Sequence, residues 1–179
     1  MLPAKYSFME QVGALPKLIV ASLNYIGLKE YPGASSNNPV IMNMAKDLGV
    51  SNIYKNDEMA WCALYMSHLC KITDKPMPFT GYDILRAKSF EHWGNTSPKP
   101  SLGDVLVFKR PAGSHVGLYV AESNKTFFVL GGNQSNSVSF TEIDKSRLTA
   151  ARRFYATAPP ASVKQYIITS SGVVSRDED

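Results

Sequence analysis

The feature that most constrains the fold is a change of period at SPKPSLGD (97–104). Before this turn cluster, rich in Pro and Ser, apolar residues recur at helical spacing; after it they come in short β-rich runs. DVLVFKR (104–110), HVGLYVAE (115–122), TFFVLGGN (126–133) and SVSFTEI (137–143) are separated only by PAGS, SNK and QSN turns. Such brief connections join antiparallel neighbours, so these runs predict a meander that AARRFYA (150–156) can close. Ahead of the switch, residues 16–29, 40–50 and 57–71 predict three helices. Pro16 stands in the first turn of the first, and Asp57 or Glu58 near the start of the third. EYPGASSNNP (30–39) reads as a loop, and a short helical piece is expected around Tyr82–Trp93. Helices first and sheet second define an α+β fold. A single domain is expected over residues 1–156, with residues 157–179 as a linker and tail.

The chain's 179 residues, 44% of them hydrophobic, suffice for a core without metal or disulfide staples. Disorder and repeat architectures are excluded by that content and by the lack of any sustained period. Nineteen Lys+Arg against fifteen Asp+Glu give +4, which permits an anionic partner without selecting one. The densest basic cluster is Arg147, Arg152 and Arg153, with no interleaved aromatics, so no nucleic-acid partner is expected. No apolar run approaches the length of a membrane span. The first apolar stretch is broken by Pro16 and Lys17, so no signal peptide is expected and synthesis in the cytoplasm is. No CxxC, HxxxH or HExxH spacing occurs, and neither a metal nor a cofactor is expected.

Cys62 and Cys70 lie on one predicted helix, separated by ~12 Å of rise, whereas a disulfide tolerates only about 7 Å between Cα atoms. They read as two thiols. Cys62 falls in the first helical turn, where backbone N–H groups and the helix dipole favour a thiolate. Such a thiolate needs a histidine to hold its proton and a third group to orient that histidine. His68 points to a different face of the same helix, and His92 lies in an irregular stretch beside Trp93. His115 opens a strand straight after a Gly-Ser turn, where a rigid sheet projects its imidazole. On the next strand, alternation places Phe127, Val129, Gly131 and Asn133 on one face. Asn133 can accept from the imidazole N–H. Gln134 points the other way or stands in the turn, and Gly131 and Gly132 leave room for a bulge or a substrate.

Taken in order, WCA (61–63), PSLGDVLVFKR (100–110), SHVGLYV (114–120) and VLGGNQS (129–135) resemble the CHAP and NlpC-like branch of papain-like cysteine peptidases. They are similar to its small, often phage-encoded wall hydrolases. KEYPGASSNNPVI (29–41) and RLTAARR (147–153) extend the resemblance over residues 16–155. It implies a papain-like α+β fold and a peptidoglycan hydrolase. Cys62 would be the nucleophile, His115 the general base and acid, and Asn133 the group orienting His115. Gln134 is adjacent, and some families use Glu or Gln in that role. The Cys62 N–H would join the oxyanion hole, and Trp61, Tyr31, Trp93 and Gln134 would line the groove. Some relatives carry an Asp-rich calcium loop before the cysteine. SNIYKNDEMAW (51–61) has only Asp57 and Glu58, so no required metal is expected. The resemblance leaves open an N-acetylmuramoyl-L-alanine amidase or a peptide-stem endopeptidase. It implies a monomeric phage endolysin that reaches the wall through a holin-type partner. The alternatives are an interbacterial toxin with an immunity protein and a catalytically silent phage-tail module.

Overall fold

With only Pro111 and Ala112 between them, Val105–Arg110 (β2) and Gly113–Glu122 (β3) have no choice but to pair antiparallel, from Val105 opposite Leu118 to Arg110 opposite Gly113. Thr126–Gly131 (β4) and Ser139–Asp144 (β5) continue the meander. Leu148–Arg153 (β6) then crosses to the far side of β2, and Asn95–Thr96 (β1) pairs with it. The sheet order is therefore β1-β6-β2-β3-β4-β5. The computed structural model describes residues 2–33, 36–176 and 178, and the fold is α+β, as the change of period predicts.

Alternation along the strands separates two apolar clusters. Val105, Val107, Val116, Leu118, Phe128 and Leu130 pack with the helices in the main core. Leu106, Phe108, Tyr119, Phe127, Val129 and Ile143 form a second cluster on the opposite face. Lys17–Leu23 (α1) and Pro39–Asp47 (α2) both contact Cys62–Ile72 (α3), which also touches β3. Every residue of α3 from Cys62 to Cys70 is buried, as expected of a helix that is apolar nearly all round.

Two helices are shorter than their periodicity predicts. The first stops at Leu23 because Gly27 turns left-handed (φ 85°) and its N–H, followed by the Leu28 carbonyl, bonds to Val138. The third starts at Cys62 rather than at residue 57 because Asp57 is engaged elsewhere. Its Oδ2 accepts the N–H groups of Tyr31 (2.9 Å) and Asn38 (2.7 Å), while Asn37 Oδ1 accepts its own N–H (2.9 Å). Asp57 thus ties down the 30–39 loop instead of opening a helix.

The segment after Thr157 is more than a linker. Its backbone bonds Leu102 through the Lys164 carbonyl, Glu122 through the Ile168 N–H and Glu142 through the Ser175 N–H. The buried Glu142 carboxylate accepts from Thr126 Oγ1 (2.7 Å), from the Ser171 N–H (3.0 Å) and Oγ (2.7 Å), and from Ser170. Burial alone would raise its pKa, but these donors outweigh it and hold the group at about 2. Ser- and Pro-rich composition hides this order, because its source is a carboxylate on β5. No helix among the described residues is long and apolar enough to cross a membrane.

Candidate active site

Three pieces of the fold position the candidate residues: the start of α3, the first residues of β3, and the turn that follows β4. Cys62 is the first residue of α3 and is 4% exposed. Its N-cap is Trp61, whose side chain makes no capping hydrogen bond to the helix's leading N–H groups. Gly132 makes the approach possible: a Cβ there would stand 2.8 Å from both the Trp61 and Tyr65 rings. The chain leaving β4 therefore passes directly against the first turn of α3.

His115 is fully buried opposite Phe108 of β2. Its Nε2 is 3.0 Å from Gln134 Oε1. The Gln134 amide nitrogen donates to the carbonyls of Val129 (3.2 Å) and Ser139, which fixes Oε1 as the acceptor. A neutral imidazole facing an acceptor at Nε2 carries its proton there. The lone pair is then on Nδ1, which is buried and has no hydrogen-bond partner. No hydrogen bond joins His115 to Cys62: as the cross-strand partner of Phe108, His115 lies on the sheet face of the second cluster, whereas α3 packs on the other face.

Asn133 does not hold the imidazole, and that expectation is corrected. Strand alternation ends at Gly131, because Asn133, Ser135 and Asn136 all adopt left-handed backbone (φ 56°, 53° and 58°). The turn folds Gln134 back over the strand, its Oε1 2.9 Å from where a Gly131 Cβ would be. Gln134 thereby takes the role that alternation assigned to Asn133. Glycine at 131 leaves that space open.

The groove residues divide. Tyr31 is exposed at 43%. Trp61 is fully buried, donating from Nε1 to Glu30 Oε2 (3.0 Å), and Trp93 is buried with its Nε1 donating to the Pro76 carbonyl (2.8 Å). Both tryptophans are core residues here, and Gln134, also buried, belongs to His115 rather than to a groove wall. Neither cysteine is in a disulfide, and burial pushes the Cys70 thiol up to about 12, which leaves it inert. His68 is held by the Tyr25 hydroxyl (2.9 Å) at the other end of α3. No cluster of three or more His, Cys, Asp or Glu able to hold a metal occurs among the described residues.

Two groups near His115 carry no local sequence signal. Glu178 and Arg147 form a bidentate ion pair (2.8 and 2.7 Å), and both charges act on the imidazole. Only the tertiary fold brings residues 115, 147 and 178 together. Burial lowers the His115 pKa to about 4, against the opposing pull of Glu178 and of the Gln134 hydrogen bond. The folded state thus binds fewer protons than the unfolded chain between about pH 4 and pH 6.5. The stability this contributes, ~3 kcal/mol, is present above pH 6.5 and is lost as pH falls towards 4. An NMR titration should find the His115 ring neutral at pH 6; a His115 midpoint above pH 6 would contradict this burial.

No family model, no curated protein and no solved structure matches this chain.

Proposed function

We propose that the chain is a cysteine hydrolase of peptidoglycan in which Cys62 is the nucleophile, His115 the proton carrier and Gln134 the residue that orients it. The observation that carries this reading is the histidine's protonation pattern. Nε2–H is fixed by Gln134, and the basic Nδ1 is kept dry and without a partner on β3, the strand whose other face α3 covers. A general base needs a lone pair held ready; His68 also has a buried Nδ1 without a partner, but its Nε2 is held by the Tyr25 hydroxyl and not by a side-chain amide. The start of α3 supplies a second support, since the N–H groups of a first helical turn that its N-cap side chain does not engage suit the oxyanion of a tetrahedral intermediate.

In the reaction Nδ1 takes the Cys62 proton, and the thiolate attacks an amide carbonyl of the wall peptide. His115 returns the proton to the departing amine. A water deprotonated by the same nitrogen then hydrolyses the thioester, and Cys62 leaves as thiol. The step requires Sγ and Nδ1 to meet, and so requires the start of β3 to turn His115 from the second-cluster face towards α3. The proposal includes the wider role implied by the sequence resemblance, a phage lysis enzyme acting on the wall.

The test is digestion of purified peptidoglycan. The parent chain should release soluble fragments, and Cys62→Ala should release none while keeping its circular dichroism spectrum. Release by a folded Cys62→Ala chain would remove the nucleophile from the reading. Mass spectrometry of the fragments then separates amidase from endopeptidase, since free glycan chains mark the first and split stems the second.

A further inference from the structure

Arg147 ends the short 3-10 turn Lys145–Arg147 that links β5 to β6. Its Nε donates to the Lys109 carbonyl (2.9 Å) and its Nη1 to the Ser175 carbonyl (3.1 Å). These bonds hold the guanidinium flat against both carboxylate oxygens of Glu178, whose side chain is fully buried. The Glu178 carbonyl in turn accepts the N–H of Ser135 (3.1 Å), the residue after Gln134. Lys109 neighbours Phe108, the cross-strand partner of His115. Glu178 is therefore anchored on two sides, its carbonyl by the turn that orients His115 and its carboxylate by Arg147, which is itself held on the strand that pairs with His115.

Burying an ion pair adds little to stability on balance, because desolvation offsets the attraction. The planar, bidentate geometry is instead the usual means of recognising a carboxylate. A cleft of about 700 Å³ opens beside the pair. Lys109, Arg110, Arg147 and Arg176 line it, with Asp144 the one acid among its described lining residues. A surface of that charge suits a chain bearing several carboxylates.

We infer that Arg147 forms a carboxylate-binding subsite beside His115, with the Ser135 amide holding the backbone carbonyl of its occupant, that Glu178 fills it from within the chain, and that an acidic peptide takes its place when the tail lifts. That this peptide is a substrate rests on the hydrolase reading; that the site binds a carboxylate does not. The tail then lowers apparent affinity by the fraction of time it occupies the subsite.

Calorimetry tests the binding with the full chain, using alanyl-γ-D-glutamate and its uncharged counterpart with amidated carboxylates as probes. Glu178→Gln should bind the acidic dipeptide roughly tenfold or more tightly than the parent. The amidated probe should gain nothing, and adding Arg147→Gln should erase the difference. Equal affinities in parent and Glu178→Gln, or equal gains for both probes, would overturn the subsite. Should Glu178→Gln fail to fold, NMR on the parent answers instead. High-millimolar acidic dipeptide should move the Ser135 amide resonance and the amidated probe should not; an unmoved resonance overturns the proposal. Peptidoglycan digestion keeps the two readings apart. A gain in affinity with no digestion by any chain leaves the subsite standing and defeats the hydrolase. Digestion with an unchanged KM in Arg147→Gln defeats only the subsite.

Discussion

Gln134→Leu should slow peptidoglycan hydrolysis by ~10²–10⁴-fold, the range associated with losing a correctly presented acid–base group. The loss should fall on kcat, with KM nearly unchanged, because Gln134 is buried and away from bulk substrate. Leucine fills the volume but leaves Nε2 without an acceptor. The imidazole is then free to place its proton on Nδ1, and that tautomer cannot accept the proton of Cys62. Gln134→Glu distinguishes positioning from packing. It keeps an acceptor for Nε2–H, gives up the donors to Val129 and Ser139, and adds a charge that favours the imidazolium. Activity should return in part, with the acid limb of the pH–rate profile moved to higher pH. A merely structural role would move stability and leave that limb in place. Asn133→Gly, which tolerates the left-handed backbone at this position, should keep substantial activity. If Asn133→Gly were inactive and Gln134→Leu active, the two assignments would exchange.

The same turn shows how far the sequence could be read. The antiparallel pairing of β2 to β5 followed from the brevity of the PAGS, SNK and QSN connections, whereas the crossing of β6 to the far side of β2 and the short β1 did not. Cys62 near a helix start and His115 near a strand start were legible from local elements, although the helix begins five residues later and the strand two residues earlier than the sequence pattern predicts. Gln134 was not, because period-2 alternation holds only while the backbone stays extended. Three left-handed residues out of four, 133 to 136, end it. The sequence GGN already permitted such a turn, but whether the amide folds back over Gly131 depends on the carbonyls of Val129 and Ser139, one on each of two strands. Glu178 and Arg147 lay further out of reach. An ion pair 31 residues apart has no periodic signature, and an acid-rich chain end ordinarily reads as solvated. Asp57 shows the reverse error. An acid near an apolar helical run looks like a helix start, but three hydrogen bonds to the 30–39 loop claim it first.

Asp104→Ala should be the most destabilising single change outside the apolar core, by ~3–5 kcal/mol. Asp104 stands just ahead of β2 with its side chain fully buried. Oδ2 accepts from Ser97 Oγ (2.7 Å), from the Ser101 N–H (2.8 Å) and from Arg153 Nη2 (2.8 Å), while Oδ1 accepts from Arg153 Nε (2.6 Å). One carboxylate thus ties the 97–101 turn to the end of β6 and holds the two against the strand that leads to His115. Its removal strands a guanidinium that is only 30% exposed and two donors that water reaches poorly. At about 2–4 °C per kcal/mol for a chain of this size, the melting temperature should fall by roughly 10 °C. The exposed Arg86–Asp83 pair provides the control. Its side chains are 68% and 58% exposed, so Asp83→Ala should stay within about 0.5 kcal/mol of the parent. Comparable losses from both substitutions would mean that the Asp104 network is hydrated rather than buried. A loss confined to Asp104→Ala would identify this carboxylate, and not charge pairing in general, as what fixes the turn region to the sheet.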